Sequence, residues 1–173
     1  MWNCFWLVDP LDGTKEFIHR NGEFTVNIAL VKEGRPYMGV VFSPATDELY
    51  AGWNGQGVWH ITSASRHGFS GFDDLSDQKL IPSRPQDRPY TVAVSRSHLD
   101  QKTEDYLEQL RVRKGNVSVI TAGSSMKFCL VAAGKADEYP RFGPTHEWDT
   151  AAGHAVMIAA GKEVRKFYDG NPL

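Results

Sequence analysis

The sequence predicts an α+β fold, with an antiparallel sheet in its first third and alternating strands and helices in its second half. Three observations carry this. Residues 25–31, 37–42, 48–51 and 57–61 are rich in β-branched and aromatic side chains and are separated only by short turn-forming segments. From 62 to 89 the chain turns polar, holds three of the nine prolines and follows neither the helical nor the strand period. Beyond residue 90, strand-like and helix-like stretches alternate, as in an α/β arrangement. The expected division is a metal-turn and antiparallel half over 1–62, a connecting segment over 63–89 and an α/β half over 90–173, all within one catalytic domain.

The elements follow in order. The apolar run 5–8 reads as a strand that stops at Asp9-Pro10-Leu11-Asp12-Gly13-Thr14. The meander's turns are Lys32-Glu33-Gly34-Arg35-Pro36, Ser43-Pro44-Ala45-Thr46-Asp47 and Trp53-Asn54-Gly55-Gln56. Residues 90–94 and 117–121 read as strands flanking a helix that Asp100 caps and that carries Tyr106, Leu107 and Leu110 on one face. Ser124 is expected to open a helix in which Met126, Cys129, Leu130 and Ala133 recur at i, i+3, i+4 and i+7. A short strand is expected over 137–139. Asp149 is expected to start the last helix, which Gly161 closes.

Composition excludes several classes of function. A hydrophobic content of 41% and charged content of 23% over 173 residues suit a globular domain with a sizeable core. The net charge of −2 provides no basic field for a nucleic-acid polymer. No stretch approaches the roughly 18 apolar residues of a membrane span, and no charged-then-apolar secretory signal opens the chain. Cys4 and Cys129 make no disulfide framework, and Cys129 fits a buried thiol in a reducing cytosol. No His/Cys set has zinc spacing, and neither a Walker loop nor a nucleophile elbow occurs. The five tryptophans read as core or rim packing, with Trp148 anchoring the helix of Asp149.

The chemistry concentrates at two acidic stretches. Asp9 and Asp12, three residues apart on a turn, offer the hard oxygens that Mg²⁺ prefers. Alone they would be ordinary turn residues. A second acid in Glu147-Trp148-Asp149-Thr150-Ala151-Ala152-Gly153 tips the balance, because three converging carboxylates without a cation would repel one another. Gly13 and the Gly123-Ser124-Ser125 turn each precede a helix and can aim backbone N–H groups at an anion. Lys127 would add a point charge and Arg141 a fork for phosphate oxygens. The plainer alternatives are that Ser124 and Thr14 are helix caps, Lys127 is a solvated helix residue and His98 is a cap or surface group.

The words D-P-L-D-G-T and W-D-T-A-A-G resemble the Mg²⁺-dependent, lithium-sensitive phosphatase superfamily of inositol monophosphatase and fructose-1,6-bisphosphatase. Lys15-Glu16-Phe17-Ile18, Ser95-Arg96-Ser97-His98, Gly123-Ser124-Ser125-Met126-Lys127-Phe128-Cys129 and Tyr139-Pro140-Arg141-Phe142-Gly143-Pro144 are similar to its bacterial 3′(2′),5′-bisphosphate nucleotidase branch. The resemblance runs from about Phe5 to the C-terminus. It implies a layered αβαβα sandwich, incomplete at the N-terminus because the family has an upstream segment with further metal ligands. It also implies Mg²⁺ held by Asp9, the Leu11 carbonyl, Asp12 and Asp149, with Asp12 and Thr14 catalytic and Thr14 orienting a water. Gly13, Thr14, His98, Ser124, Lys127 and Arg141 then contact a small nucleotide.

The implied reaction removes the 3′-phosphate of adenosine 3′,5′-bisphosphate, giving AMP and phosphate, in sulfur metabolism. The expected place is the cytoplasm, including the inner face of the cell membrane. An inositol or sugar phosphate is the alternative substrate within the class. An aspartyl phosphotransferase is disfavoured because Pro10 and Leu11 space the acids one residue wider than D-x-D-G-T. A folded but inactive truncated module is the third reading. Without the upstream segment the chain is expected to be a poor enzyme and to self-associate through apolar surface around strand 5–8.

Overall fold

The computed structural model describes residues 2–66, 68, 74, 79–80, 88–97 and 100–173. The first strand, β1 (Cys4–Asp12), runs farther than its apolar core because the backbone stays extended through Asp9-Pro10-Leu11-Asp12. Proline is tolerated there for two reasons. β1 lies at the sheet edge with β2 as its one neighbour, and the pairing shifts between Asp9 and Asp12, so the missing N–H falls at an irregularity. A five-residue helix, α1 (Thr14–Ile18), follows from Gly13, whose φ of 88° suits glycine.

The meander forms as expected, with β2 (Thr25–Lys32), β3 (Arg35–Ser43), β4 (Glu48–Trp53) and β5 (Gly57–Thr62) each antiparallel to its predecessor. Strand alternation buries Ala29, Val41, Tyr50 and Val58 on one face. The opposite face presents Trp6 and Val8 beside their cross-strand partners Leu30 and Ile28, and Trp6, Val8 and Ile28 are exposed. The connecting segment follows neither the helical nor the strand period, yet β6 (Lys79–Leu80) pairs with β5 as a sixth strand. Two residues carry too little pattern to announce themselves. A 3-10 turn at Ala64–Arg66 begins that segment, and much of the rest lies outside the described residues.

In the second half, β7 (Tyr90–Ser95) and β8 (Val117–Ala122) pair in parallel, joined by α2 (Gln101–Lys114), because a parallel pair needs a long crossover. Asp100 caps α2 as expected, accepting from the Thr103 N–H at 2.9 Å. Leu107 and Leu110 pack on Val92 and Val94. The strand expected over 137–139 is reduced to one bridge, Val92 to Glu138. Arg88 and Asp137 replace the longer ladder. The guanidinium meets both carboxylate oxygens at 2.6 and 3.0 Å and donates to the Gly134 carbonyl, while Asp137 also accepts from the Thr91 N–H.

Helices α3 (Met126–Ala132) and α4 (Glu147–Ala159) fill the space above the sheet. α4 crosses β2, β3 and β4 at unusually short range. A Cβ on Gly52 would lie 2.6 Å from the Val156 Cα, and one on Gly39 would overlap the Ala152 backbone. Ala151, Ala152 and Ala155 are therefore small because the helix backbone rests nearly on the strands, while Gly153 leaves room for the Phe128 ring of α3. Two boundary expectations and one side-chain role are corrected. α3 begins at Met126 with Ser125 in the cap position, and Ser124 takes a left-handed φ of 45°, so Ser124 does not open the helix. α4 begins at Glu147, two residues before Asp149. Trp148 is 44% exposed and stacks on His146 at 4.5 Å, so it caps the helix surface and does not anchor it in the core.

Gly52→Ala should push α4 off the sheet and lower stability by about 1–3 kcal/mol in denaturant unfolding, since backbone opposes the new methyl. Burial alone would raise the Asp137 pKa, but the bonds from Arg88 and Thr91 hold it below the usual carboxylate value. Its stabilisation is present above that usual value and lost as pH falls through the depressed one. Asp137→Asn should lower stability at neutral pH by about 1–3 kcal/mol and flatten the acid limb of the stability curve.

Candidate metal and phosphate site

Asp9 and Asp12 stand at the end of β1, and Asp149 is the third residue of α4. Carboxylate oxygens of all three lie within 4.8 Å of one another, each half-buried. Burial raises the Asp9 pKa first; the Leu11 N–H opposes it, and the charges of Asp12 and Asp149 add to it. Among the described residues, each acid uses one oxygen on the protein. Asp9 Oδ1 accepts from the Leu11 N–H at 3.1 Å. Asp149 Oδ2 accepts from Thr145 Oγ1 and the His146 N–H, both at 3.0 Å. Asp12 Oδ2 is reached by Ser125 Oγ at 3.0 Å, Asn27 Nδ2 at 3.3 Å and Thr25 Oγ1 at 3.4 Å. One hard oxygen from each acid within 4.8 Å of the others makes a donor set that fits a divalent cation of the Mg²⁺ type.

Beside the acids lies a cleft of about 240 Å³ whose lining includes Asp12, Gly13, Thr14, Glu16, Ser124, Lys127, Tyr139, Arg141 and Asp149. The sequence-selected residues are therefore largely brought together, although their individual environments differ from expectation. Lys127 is no solvated helix residue. It is 2% exposed, donates to the carbonyls of Ser124 at 2.6 Å and Ala122 at 3.1 Å, and sits 5.2 Å from the Tyr139 ring. Burial draws its pKa down to about 8; Asp12 resists this and Arg141 adds to it. Arg141 is exposed and donates to Tyr139 Oη at 3.3 Å and the Pro144 carbonyl at 3.0 Å.

Ser124 Oγ is buried without a hydrogen-bond partner among the described residues, and the capping reading for it fails. Thr14 is the first residue of α1 with Gly13 in the cap position, so Thr14 is not a cap either. Leu11 sits in the irregular turn between the two acids. His98 lies outside the described residues. The Gly13 and Gly123 turns both close on the 23–24 backbone. A Cβ on Gly13 would meet the Phe24 Cα at 3.3 Å, and one on Gly123 would run into the Glu23 carbonyl.

The sequence reasoning missed the polar residues behind Asp12. Thr25, Asn27 and Ser125 are at most 1% exposed, and Glu16, 4% exposed, accepts from Ser97 Oγ. A signal existed for two of them. In β2, Thr25 and Asn27 share the strand face of Ala29 and Val31, and polar side chains on a buried face need partners. Ser125 carried no comparable mark, because Ser124 offered itself as the cap.

Residues 2–172 match the inositol monophosphatase family. Curated proteins similar to the chain include the 3′(2′),5′-bisphosphate nucleotidase CysQ of Shigella flexneri and that of Escherichia coli K12. Each is 49% identical over 172 residues, covering 99% of this chain and 62% of the relative. Among solved structures, CysQ from Bacteroides thetaiotaomicron superposes with a TM-score of 0.92 at 46% identity, over 99% of this chain and 65% of that one. An inositol monophosphatase from Anabaena gives 0.74 at 26%, over 99% and 65%. The chain thus spans less than two thirds of the length of these relatives. Its fold is the layered α/β sandwich of those neighbours, and the chain belongs to the inositol monophosphatase family.

Proposed function

We propose that the chain carries the acidic metal site and phosphate cleft of a Mg²⁺-dependent 3′(2′),5′-bisphosphate nucleotidase, converting adenosine 3′,5′-bisphosphate to AMP and phosphate. The carrying observation is the convergence of Asp9, Asp12 and Asp149 beside a cleft that also holds Lys127 and Arg141. Identity to relatives named for that activity supports the nucleotide over an inositol or sugar phosphate. A bound divalent ion would neutralise phosphoryl oxygens, lower the pKa of a water and stabilise the leaving oxygen. In this reading the three aspartates and the Leu11 carbonyl hold the ion. Thr14, exposed at the cleft wall, orients the attacking water, the Gly13 turn faces an anion with its backbone N–H groups, and the Ser124 turn with Lys127 and Arg141 holds the second phosphate.

The proposed setting is the cytoplasm and sulfur metabolism. Among the described residues no helix is long and apolar enough to cross a membrane. The test is phosphate release from adenosine 3′,5′-bisphosphate, compared with inositol monophosphate, by the purified chain with and without Mg²⁺. Mg²⁺-dependent release favouring the nucleotide supports the proposal. Preference for inositol monophosphate moves the substrate, and ion binding without turnover identifies a binding module.

Asp12→Asn keeps the shape and withdraws an anionic ligand, so Mg²⁺ affinity measured by calorimetry should fall about 100-fold, with Asp149→Asn similar. Unchanged affinity in both would remove them as ligands. Arg141→Ala should raise KM for the bisphosphate nucleotide about tenfold and much less for a simple phosphomonoester, since only the former has a second phosphate to lose. Lys127→Ala should do the same and also destabilise the 122–124 turn, which a melting curve would separate from the KM effect.

A further inference from the structure

The pattern of occupied oxygens at the acidic cluster goes one step beyond the proposed function, and it rests on the reading of that cluster as a divalent-cation site. Asp12 comes from the edge strand and faces three buried donors from two other elements. Thr25 and Asn27 are on β2, and Ser125 stands before α3. Their protons are limited. Asn27 Nδ2 has two, and these cover Ser125 Oγ at 2.9 Å and Asp12 Oδ2 at 3.3 Å. Thr25 Oγ1 has one, shared between Asn27 Oδ1 at 3.1 Å and Asp12 Oδ2 at 3.4 Å. Ser125 Oγ has one, placed between Asp12 Oδ2 and the Asp149 carbonyl, each at 3.0 Å.

Such a network fixes one oxygen of Asp12 against the protein and leaves the other for a ligand. The same holds on a smaller scale for Asp9 and Asp149, where one oxygen alone accepts protein donors among the described residues. Coordination through single oxygens suits an ion that demands near-octahedral geometry and retains waters. Ca²⁺ takes more oxygens in looser geometry and often binds a carboxylate through both.

We infer that Ser125, with Asn27 and Thr25 behind it, is a positioning residue that holds Asp12 to one-oxygen coordination and so sets the preference for Mg²⁺ over Ca²⁺. Ser125 touches no substrate in this role. It acts through Asp12, and through the Asp149 carbonyl it ties the edge-strand ligand to the helix ligand. Loss of the donor frees Asp12 Oδ2 to turn toward the ion, favouring the larger cation.

The test is competition of Mg²⁺ and Ca²⁺ against bound Mn²⁺, read by electron paramagnetic resonance on the intact chain, for the wild type, Ser125→Ala and Thr25→Val. Melting curves accompany each. The expected result is a shift of the Mg²⁺/Ca²⁺ affinity ratio toward Ca²⁺ by about tenfold in Ser125→Ala, and by a smaller factor in Thr25→Val, with Mn²⁺ still bound. A purely structural role would weaken both cations in proportion, and an unchanged ratio overturns the inference. If Ser125→Ala does not fold, the near-isosteric Thr25→Val carries the decision by the same ratio. A wild-type chain that binds none of the three ions would overturn the metal reading itself, and this inference with it.

Discussion

Mutual repulsion among three carboxylates is the constraint around which the structure is arranged. Like charges at this separation favour proton uptake or separation, and at Asp9, whose pKa burial raises first, the charges of Asp12 and Asp149 push the same way. Holding them together requires that their backbones be fixed by something stronger than the repulsion. Two acids are fixed by the ladder between β1 and β2, and the third by α4, whose small residues let it settle against Gly39 and Gly52. The glycines of the sheet and the alanines of the helix are thus part of the site, although none of them lies in the cleft.

The buried polar groups follow from the same constraint. The Asp12 carboxylate has one side turned to enclosed donors, because Thr25, Asn27 and Ser125 are at most 1% exposed. Lys127 is used in a related way. Two of its three ammonium protons go to the carbonyls of the turn before α3, which brings positive charge beside Asp12 without a surface side chain having to reach in. Charge here is delivered by burial and fixed geometry, and the flexible surface contributes mainly Arg141.

Much of this was legible in the residues. The meander, the parallel pair with its Asp100 cap and the Asp9–Asp12 turn follow from period and turn chemistry, because those signals are local, while the place of Asp149 beside them is what the resemblance of the two motifs implies. Misreadings occurred where the decisive contact is distant in sequence. Ser124 looked like a cap because serine before a helical run usually is one; only the turn against Glu23 and Asp12 shows that the next serine does the work. β6 is too short to carry a pattern, and Trp148 looked like an anchor because tryptophan is so often buried. Thr25 and Asn27 were readable in principle, as polar side chains on a buried face, but what they hold 13 and 15 residues away was not.

The placement of Asp9 and Asp12 on a strand hydrogen-bonded along one side has a consequence for motion. Edge strands belong to the part of a sheet that opens at low free energy, and their amides exchange with solvent while the interior stays closed. Asp149, by contrast, is borne by a helix whose following residues are buried through Met157. An ion gripping all three would rivet the edge strand β1 to the buried helix α4, so occupancy and local opening become one equilibrium. The rim of the cleft would then be rigid when the ion is present and free to breathe when it is not, making cation concentration a control on the protein's flexibility as well as on its chemistry.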